Sequence, residues 1–250
     1  MNNTQNPTES PRNLSIRKPP KILIPIAVLE GQTIPEPLVE FIAPANIVVL
    51  GYHVLPEQTP TDQASMQYED RAQAAVEDIA QSFEAVEQTV ETRVAFTHDG
   101  EKTIERVADE VDATALLLPN PTGPITDILV PIRGEINVDR LVDLVQVLLT
   151  NNEYTVTLWG IDTVDQESIQ ETVNQADQKL REYDIESNLL SVEITDEDAP
   201  INAIVERSSE FDIIIMGEGE RSLLTRIIGE DIDRVAEGSV SPVIVVRNAD

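Results

Sequence analysis

The chain of 250 residues contains no cysteine, which excludes disulfide frameworks, thiolate metal sites and cysteine nucleophiles together. Its only histidines are His53 and His98, so most histidine-rich metal centres are excluded as well. Basic residues are scarce: 17 Lys and Arg stand against 46 Asp and Glu, a formal net charge of −29. Phosphates repel such a field, so a simple nucleic-acid binder is excluded. Long apolar runs are missing too. The longest, such as Ile22–Val28 and Ile213–Met216, are of strand length, far short of the ~18–20 residues of a membrane helix, so no membrane insertion is expected.

What is present is enough for a core. Hydrophobic residues make up 41 % of the chain, and its length suits one large domain or two of ordinary size. The acidic residues are dispersed along the whole chain rather than massed in a tail, and only four basic residues are lysines (Lys18, Lys21, Lys102, Lys179). An acid-rich, lysine-poor surface suits a cytosol of molar salt, where a Debye length of about 3 Å removes the self-repulsion. A halophilic origin is the expectation. Met1–Pro20 is polar with scattered Pro, Asn and Ser and has no apolar leader or twin arginine. It is expected to be a disordered tail (1–20) on a cytoplasmic protein.

From Lys21 onward the pattern alternates. Lys21–Val28, Asn46–Val54, Thr92–Thr97 and Ala113–Leu118 read as strands, and Tyr68–Val86 and Glu101–Val111 as helices. Strands alternating with helices predict βαβ units and a mostly parallel sheet. The pattern then restarts: Asp127–Ile132 (DILVPI) echoes Lys21–Ile26 (KILIPI). Val138–Leu149, Gln166–Tyr183 and Pro200–Phe211 follow as helices, with strands at Tyr154–Ile161, Leu189–Ile194 and Asp212–Gly217. Two tandem doubly wound parallel-sheet units of Rossmann-like or flavodoxin-like type are predicted, covering 21–122 and 127–250. The second continues through a helix at Ser222–Glu237 to a fifth strand at Pro242–Arg247; the first lacks both. Its open sheet edge therefore needs cover, from the second copy or from another subunit.

Three motifs, in order, carry a family resemblance. Ile22-Leu-Ile-Pro-Ile26 and Ile128-Leu-Val-Pro-Ile132 open the copies, Asp212-Ile-Ile-Ile-Met-Gly217 forms a fourth strand, and Pro242-Val-Ile-Val-Val-Arg247 a last one. Over residues 21–250 the chain resembles a tandem universal stress protein of haloarchaeal type. The resemblance implies five-stranded doubly wound units, usually dimeric, with roles in stress response and regulation. Members that bind ATP carry G-x2-G-x9-G-[ST] after the fourth strand, where glycines let backbone N–H groups approach phosphates. Here Gly217, Gly219 and Gly229 remain, but the first gap is one residue short and the hydroxyl position is Glu230. The family aspartate that reaches the base corresponds to Arg133 in the second copy and Ala27 in the first.

The candidate nucleotide-binding residues are thus Gly217, Gly219, Arg221, Ser222, Gly229 and Arg133, with ATP or AMP as the ligand considered and not favoured. Arg133 could take an anion at the switch point or pair with Glu218 or Glu230. Arg221 and Ser222 could contact phosphate or form a solvated turn and helix cap. His53 is read as structural, and His98-Asp99-Gly100 as a turn with Asp99 capping the next helix. Trp159 and Phe211 are read as core. No phosphate-binding loop follows either first strand and no nucleophile–base set is apparent. The expected protein is a non-enzymatic regulator that forms a homodimer or docks on a partner. An ATP or AMP sensor is the alternative, and a nucleotide hydrolase a more distant one.

Overall fold

The computed structural model describes residues 19–150, 154–162, 166–183, 185, 188–218 and 240–248. Its centre is a nine-stranded sheet, in spatial order β3-β2-β1-β4-β9-β8-β5-β6-β7. The strands are β1 (Lys21–Ala27), β2 (Asn46–Val54), β3 (Glu91–Thr97), β4 (Ala115–Leu118), β5 (Asp127–Ile132), β6 (Thr155–Asp162), β7 (Leu190–Asp196), β8 (Ile213–Gly217) and β9 (Val243–Val246). The helices are α1 (Glu36–Ile42), α2 (Thr61–Glu84), α3 (Gly100–Glu110), α4 (Val138–Leu148), α5 (Gln166–Glu182) and α6 (Pro200–Arg207). The expected α/β architecture is present, and the order 3-2-1-4 recurs as β3-β2-β1-β4 and β7-β6-β5-β8. The predicted helix at Ser222–Glu237 lies outside the described residues.

The central strands are apolar on both sides because helices cover both faces of a parallel sheet. Ile22, Leu23, Ile24 and Ile26 are fully buried, as are Ile128, Leu129, Val130 and Ile132. One face meets α1, α2, α4 and α5 in a single core shared by both halves, bridged by an edge-on contact of Phe41 with Tyr154 at 5.2 Å. Two smaller cores lie opposite, one with α3 and one with α6. The repeat is visible in side chains: Ala72, Val76, Ile79 and Phe83 of α2 face the sheet at the same spacing as Ile169, Val173, Ala176 and Leu180 of α5.

The open edge of the first half is covered within the same chain. Strand β9 lies between β8, which it pairs in parallel, and β4, which it pairs antiparallel from Ala115↔Val246 to Leu118↔Val243. This is the sheet's one antiparallel pairing among the described strands, and it turns the two halves end for end. The carboxyl ends of β1–β4 therefore face one edge of the molecule and those of β5–β9 the opposite edge.

The eight-residue connection from β4 to β5 is held down by polar contacts. Asn120 Nδ2 donates to the Ser241 carbonyl at 3.1 Å, and Thr122 Oγ1 to the Asp212 carbonyl at 3.2 Å. The Asp212 carboxylate then accepts from the N–H groups of Thr126 (2.8 Å) and Asp127 (3.0 Å). Thr114 holds the matching position before β4, where its hydroxyl accepts from Lys21 N–H at 2.8 Å. A short polar side chain just before the fourth strand thus anchors the start of the first strand in both halves.

Three elements differ from the sequence reading: α6 ends at Arg207, short of the predicted Phe211, and gives way to a 3-10 turn at Ser208–Glu210. Helix α1 was not anticipated, because Pro35 and Pro37 mask the Leu38, Val39, Phe41, Ile42 pattern that buries it. Both prolines suit a helix start, where no intrahelical N–H is needed. Helix α2 begins at Thr61 rather than Tyr68; among the described side chains of its first two turns only Ala64 is buried, so the apolar pattern starts late.

Candidate functional site

Prolines shape the crevice that a doubly wound sheet presents where its strand order reverses. The ladder from β5 to β6 runs through to Ile132↔Gly160, but the ladder from β5 to β8 ends at Leu129↔Ile214. Pro131 follows, and it has no N–H with which to continue. The first half behaves alike: β1 pairs β2 as far as Ala27, yet its pairing to β4 stops at Leu23↔Leu116, before Pro25. The repeated Ile-Pro-Ile segments thus let the first and fourth strands part near their carboxyl ends.

In the second half the crevice is bounded by the ends of β5 and β8 and by the start of α4. Asn137 caps α4, its Oδ1 accepting from Arg140 N–H at 3.1 Å. An open depression of about 470 Å³ lies beside it, lined by Glu135, Ile136, Asn137, Val138, Asp139, Gln175 and Asn248. Helix N-termini favour anions, but here the chain supplies its own: Glu135 precedes the helix and Asp139 sits in its first turn. Asp139 also pairs with Lys179 of α5.

The described site residues fall as follows. Gly217 ends β8, and a Cβ there would meet Ile136 Cγ2 at 2.8 Å and Cβ at 2.9 Å. Close approach of Ile136 accounts for the glycine. Arg133 is half-buried just past β5; of its two candidate partners, Glu230 lies outside the described residues and the Glu218 carboxylate forms no ion pair with it. That carboxylate instead accepts from Asn248 N–H at 3.1 Å, while Asn248 Nδ2 donates to the Glu218 carbonyl. Glu218 N–H donates to the Val246 carbonyl at 2.7 Å, so β9 and its continuation engage both the backbone and the carboxylate of Glu218. Gly219, Arg221, Ser222, Gly229 and Glu230 lie outside the described residues.

Asn137 and Asn248 were not singled out from the sequence. Asn137 N–H donates to Asn248 Oδ1 at 3.1 Å, closing a chain of contacts from α4 to the end of β8. Asn137 had a local signal, a capping residue type directly before an apolar periodic run. Asn248 had none, because its partners lie 30 and 111 residues away.

The first half offers no matching depression among the described residues. Ala27 N–H donates to Gln32 Oε1 at 3.1 Å, and Pro119 follows β4. Tyr52 is half-buried near it, and burial together with the Glu30 carboxylate pushes its phenol above the usual range. His53 lies edge-on to Tyr68 (6.1 Å) and Phe96 (6.4 Å), a packing role as expected. His98 Nδ1 is 3.3 Å from the Leu55 carbonyl oxygen. Asp99 caps α3 through Lys102 N–H at 3.1 Å, and hydrogen bonding to Lys102 holds its carboxyl below the usual range. Trp159 is buried, with Nε1 donating to Thr195 Oγ1 at 2.9 Å and Arg207 stacked over its ring at 4.7 Å. Among the described residues no group of three or more His, Asp or Glu is arranged to hold a metal ion, and no helix is long and apolar enough to cross a membrane.

No family model matches the sequence, and no curated protein matches it significantly. Solved structures do. A universal stress protein from Archaeoglobus fulgidus DSM 4304 aligns with 92 % of this chain and 97 % of its own, at 15 % identity and a TM-score of 0.60. A functionally unknown protein from Pseudomonas aeruginosa PAO1 aligns over 92 % and 93 %, at 15 % identity and 0.50. A protein from Pseudomonas aeruginosa UCBPP-PA14, provisionally classed as a universal stress protein, does so over 92 % and 94 %, at 14 % and 0.50. The repeated strand order, the proline-split crevices and these alignments over nearly the whole chain together give it the universal stress protein fold.

Proposed function

We propose that this chain is a non-enzymatic regulatory protein of the stress-response type, built from two tandem units (21–122 and 127–250), that acts by docking on a partner protein or a second copy. The observation that carries this reading is the second-half crevice. Ile136 packs onto Gly217, Glu218 is held by Asn248, and the adjoining depression carries Glu135 and Asp139. A polyphosphate placed there would meet carboxylates where a nucleotide site needs donors. A strand-mediated dimer would use β3 or β7, because β9 is paired on both sides.

The test is thermal unfolding in about 2 M KCl with and without ATP, AMP and Mg²⁺, on protein checked for co-purified nucleotide. No shift is expected. A ligand at a hundred times its dissociation constant stabilises the native state by about 2.7 kcal/mol. A rise of that size would replace this reading with an ATP or AMP sensor working through Gly217, Gly219 and Gly229.

The halophilic reading has its own test. With a net charge of −29, raising KCl from about 0.1 M to about 1 M shortens the Debye length from ~10 Å to ~3 Å. The unfolding midpoint is expected to climb steadily over that range. A midpoint that is flat or falls with KCl would remove salt adaptation as the reason for the acidity.

A further inference from the structure

Strand β9 ends at Val246, and the two residues after it reach in opposite directions. Arg247 turns to the first half. Its N–H donates to the Thr114 carbonyl at 2.9 Å, Nη1 to the Ala113 carbonyl at 3.3 Å, and Nη2 to Asp109 Oδ1 at 2.6 Å. A cation at Ala113, just past the carboxyl end of α3, also suits that helix's dipole. Asn248 turns to the second half and engages Glu218 and Asn137 at the rim of the depression. Arg140 of α4 completes the tie by donating to the Arg247 carbonyl at 3.4 Å. Arg247 is only 9 % exposed, yet its Nε is buried with no hydrogen-bond partner. That unsatisfied donor lowers the cost of lifting the side chain out.

We propose that Arg247 and Asn248 form a two-sided latch that couples the depression at the start of α4 to the join between the two halves. The latch has two states, seated on both sides or lifted from both, because one peptide unit separates two sets of anchors. Anything that draws Asn248 from Asn137 and Glu218 then loosens α3 and β4 of the other half. The coupling is reciprocal, as any coupling between two sites on one equilibrium must be. It holds whether the depression receives a ligand, a protein or nothing.

Amide hydrogen exchange on the full chain in molar KCl tests this from both ends. Asp109→Ala removes an anchor whose carboxylate side chain is 69 % exposed, so the fold tolerates it. It is expected to speed exchange at the Asn137 and Glu218 amides of the other half at least fivefold, with the β6 amides unchanged. Asn248→Ala is expected to do the same at Ala113 and Thr114, with the β2 amides unchanged. Acceleration confined to the half that carries the removed contact, or spread evenly over the whole sheet, overturns the latch. If Asn248→Ala does not fold, the Asp109→Ala result decides alone.

Discussion

Deletion of residues 240–250 is expected to unfold the whole chain, although the lost strand belongs by sequence to the second half. Val243, Ile244, Val245 and Val246 are all buried, and full burial of such side chains contributes about 1.5–3 kcal/mol each. Together that is roughly 6–12 kcal/mol, comparable to the entire stability of an ordinary domain. The loss also uncovers β4 along Ala115–Leu118 and β8 along Ile214–Gly217, leaving two apolar strands with unpaired backbone groups. Circular dichroism and size-exclusion chromatography in about 2 M KCl should show no cooperative melt and large aggregates. A soluble truncated chain melting near the full-length midpoint would mean that β9 is not what closes the first half's edge.

Adding one methyl group at Gly51 or Gly160 is expected to destabilise the fold clearly. The two glycines hold matching places in β2 and β6, opposite Ile26 and Ile132. A Cβ on Gly51 would stand 2.4 Å from Val76 Cγ2 and 2.8 Å from Val28 Cγ1; on Gly160 it would stand 2.9 Å from Ile169 and from Val173. These neighbours are short, branched and buried, so they cannot swing aside and the helix must move. Overpacking of this kind costs about 1–3 kcal/mol, a midpoint fall of roughly 2–12 °C for a chain of this size. Gly123→Ala, which meets nothing within 4 Å, is the control and should stay within about 0.5 kcal/mol of the parent. If Gly51→Ala and Gly123→Ala melt together, the helix α2 does not approach β2 as closely as described.

The sequence was most readable where information is local. Strands Asn46–Val54 and Asp127–Ile132 stand at the bounds their apolar runs predicted, and Asp99 caps α3 as its place before a helix implied. The internal repeat was equally plain, because its opening segments share an Ile-Pro-Ile core. Non-local pairings were not readable. Nothing in Val243–Val246 says that one edge of the strand meets β8 in parallel and the other meets β4 antiparallel, since an apolar run suits either direction. The site fared likewise. Charge made Glu218 and Glu230 equal candidates for Arg133, and nothing local showed that the Glu218 carboxylate accepts from Asn248, 30 residues on. In the sequence Arg247 is only the end of a motif, because its contacts with Asp109 and Ala113 span more than 130 residues.

The antiparallel β4–β9 contact also settles how this protein answers to dilution. A sheet completed between two chains falls apart as concentration drops, because its stability contains a mass-action contribution. Here both partners of the contact lie on one chain, and the eight residues from Pro119 to Thr126 tether the two halves. A short tether of that kind sets an effective concentration in the millimolar range, whatever the concentration of the protein itself. The first half therefore keeps its covering strand at one copy per cell as securely as at thousands.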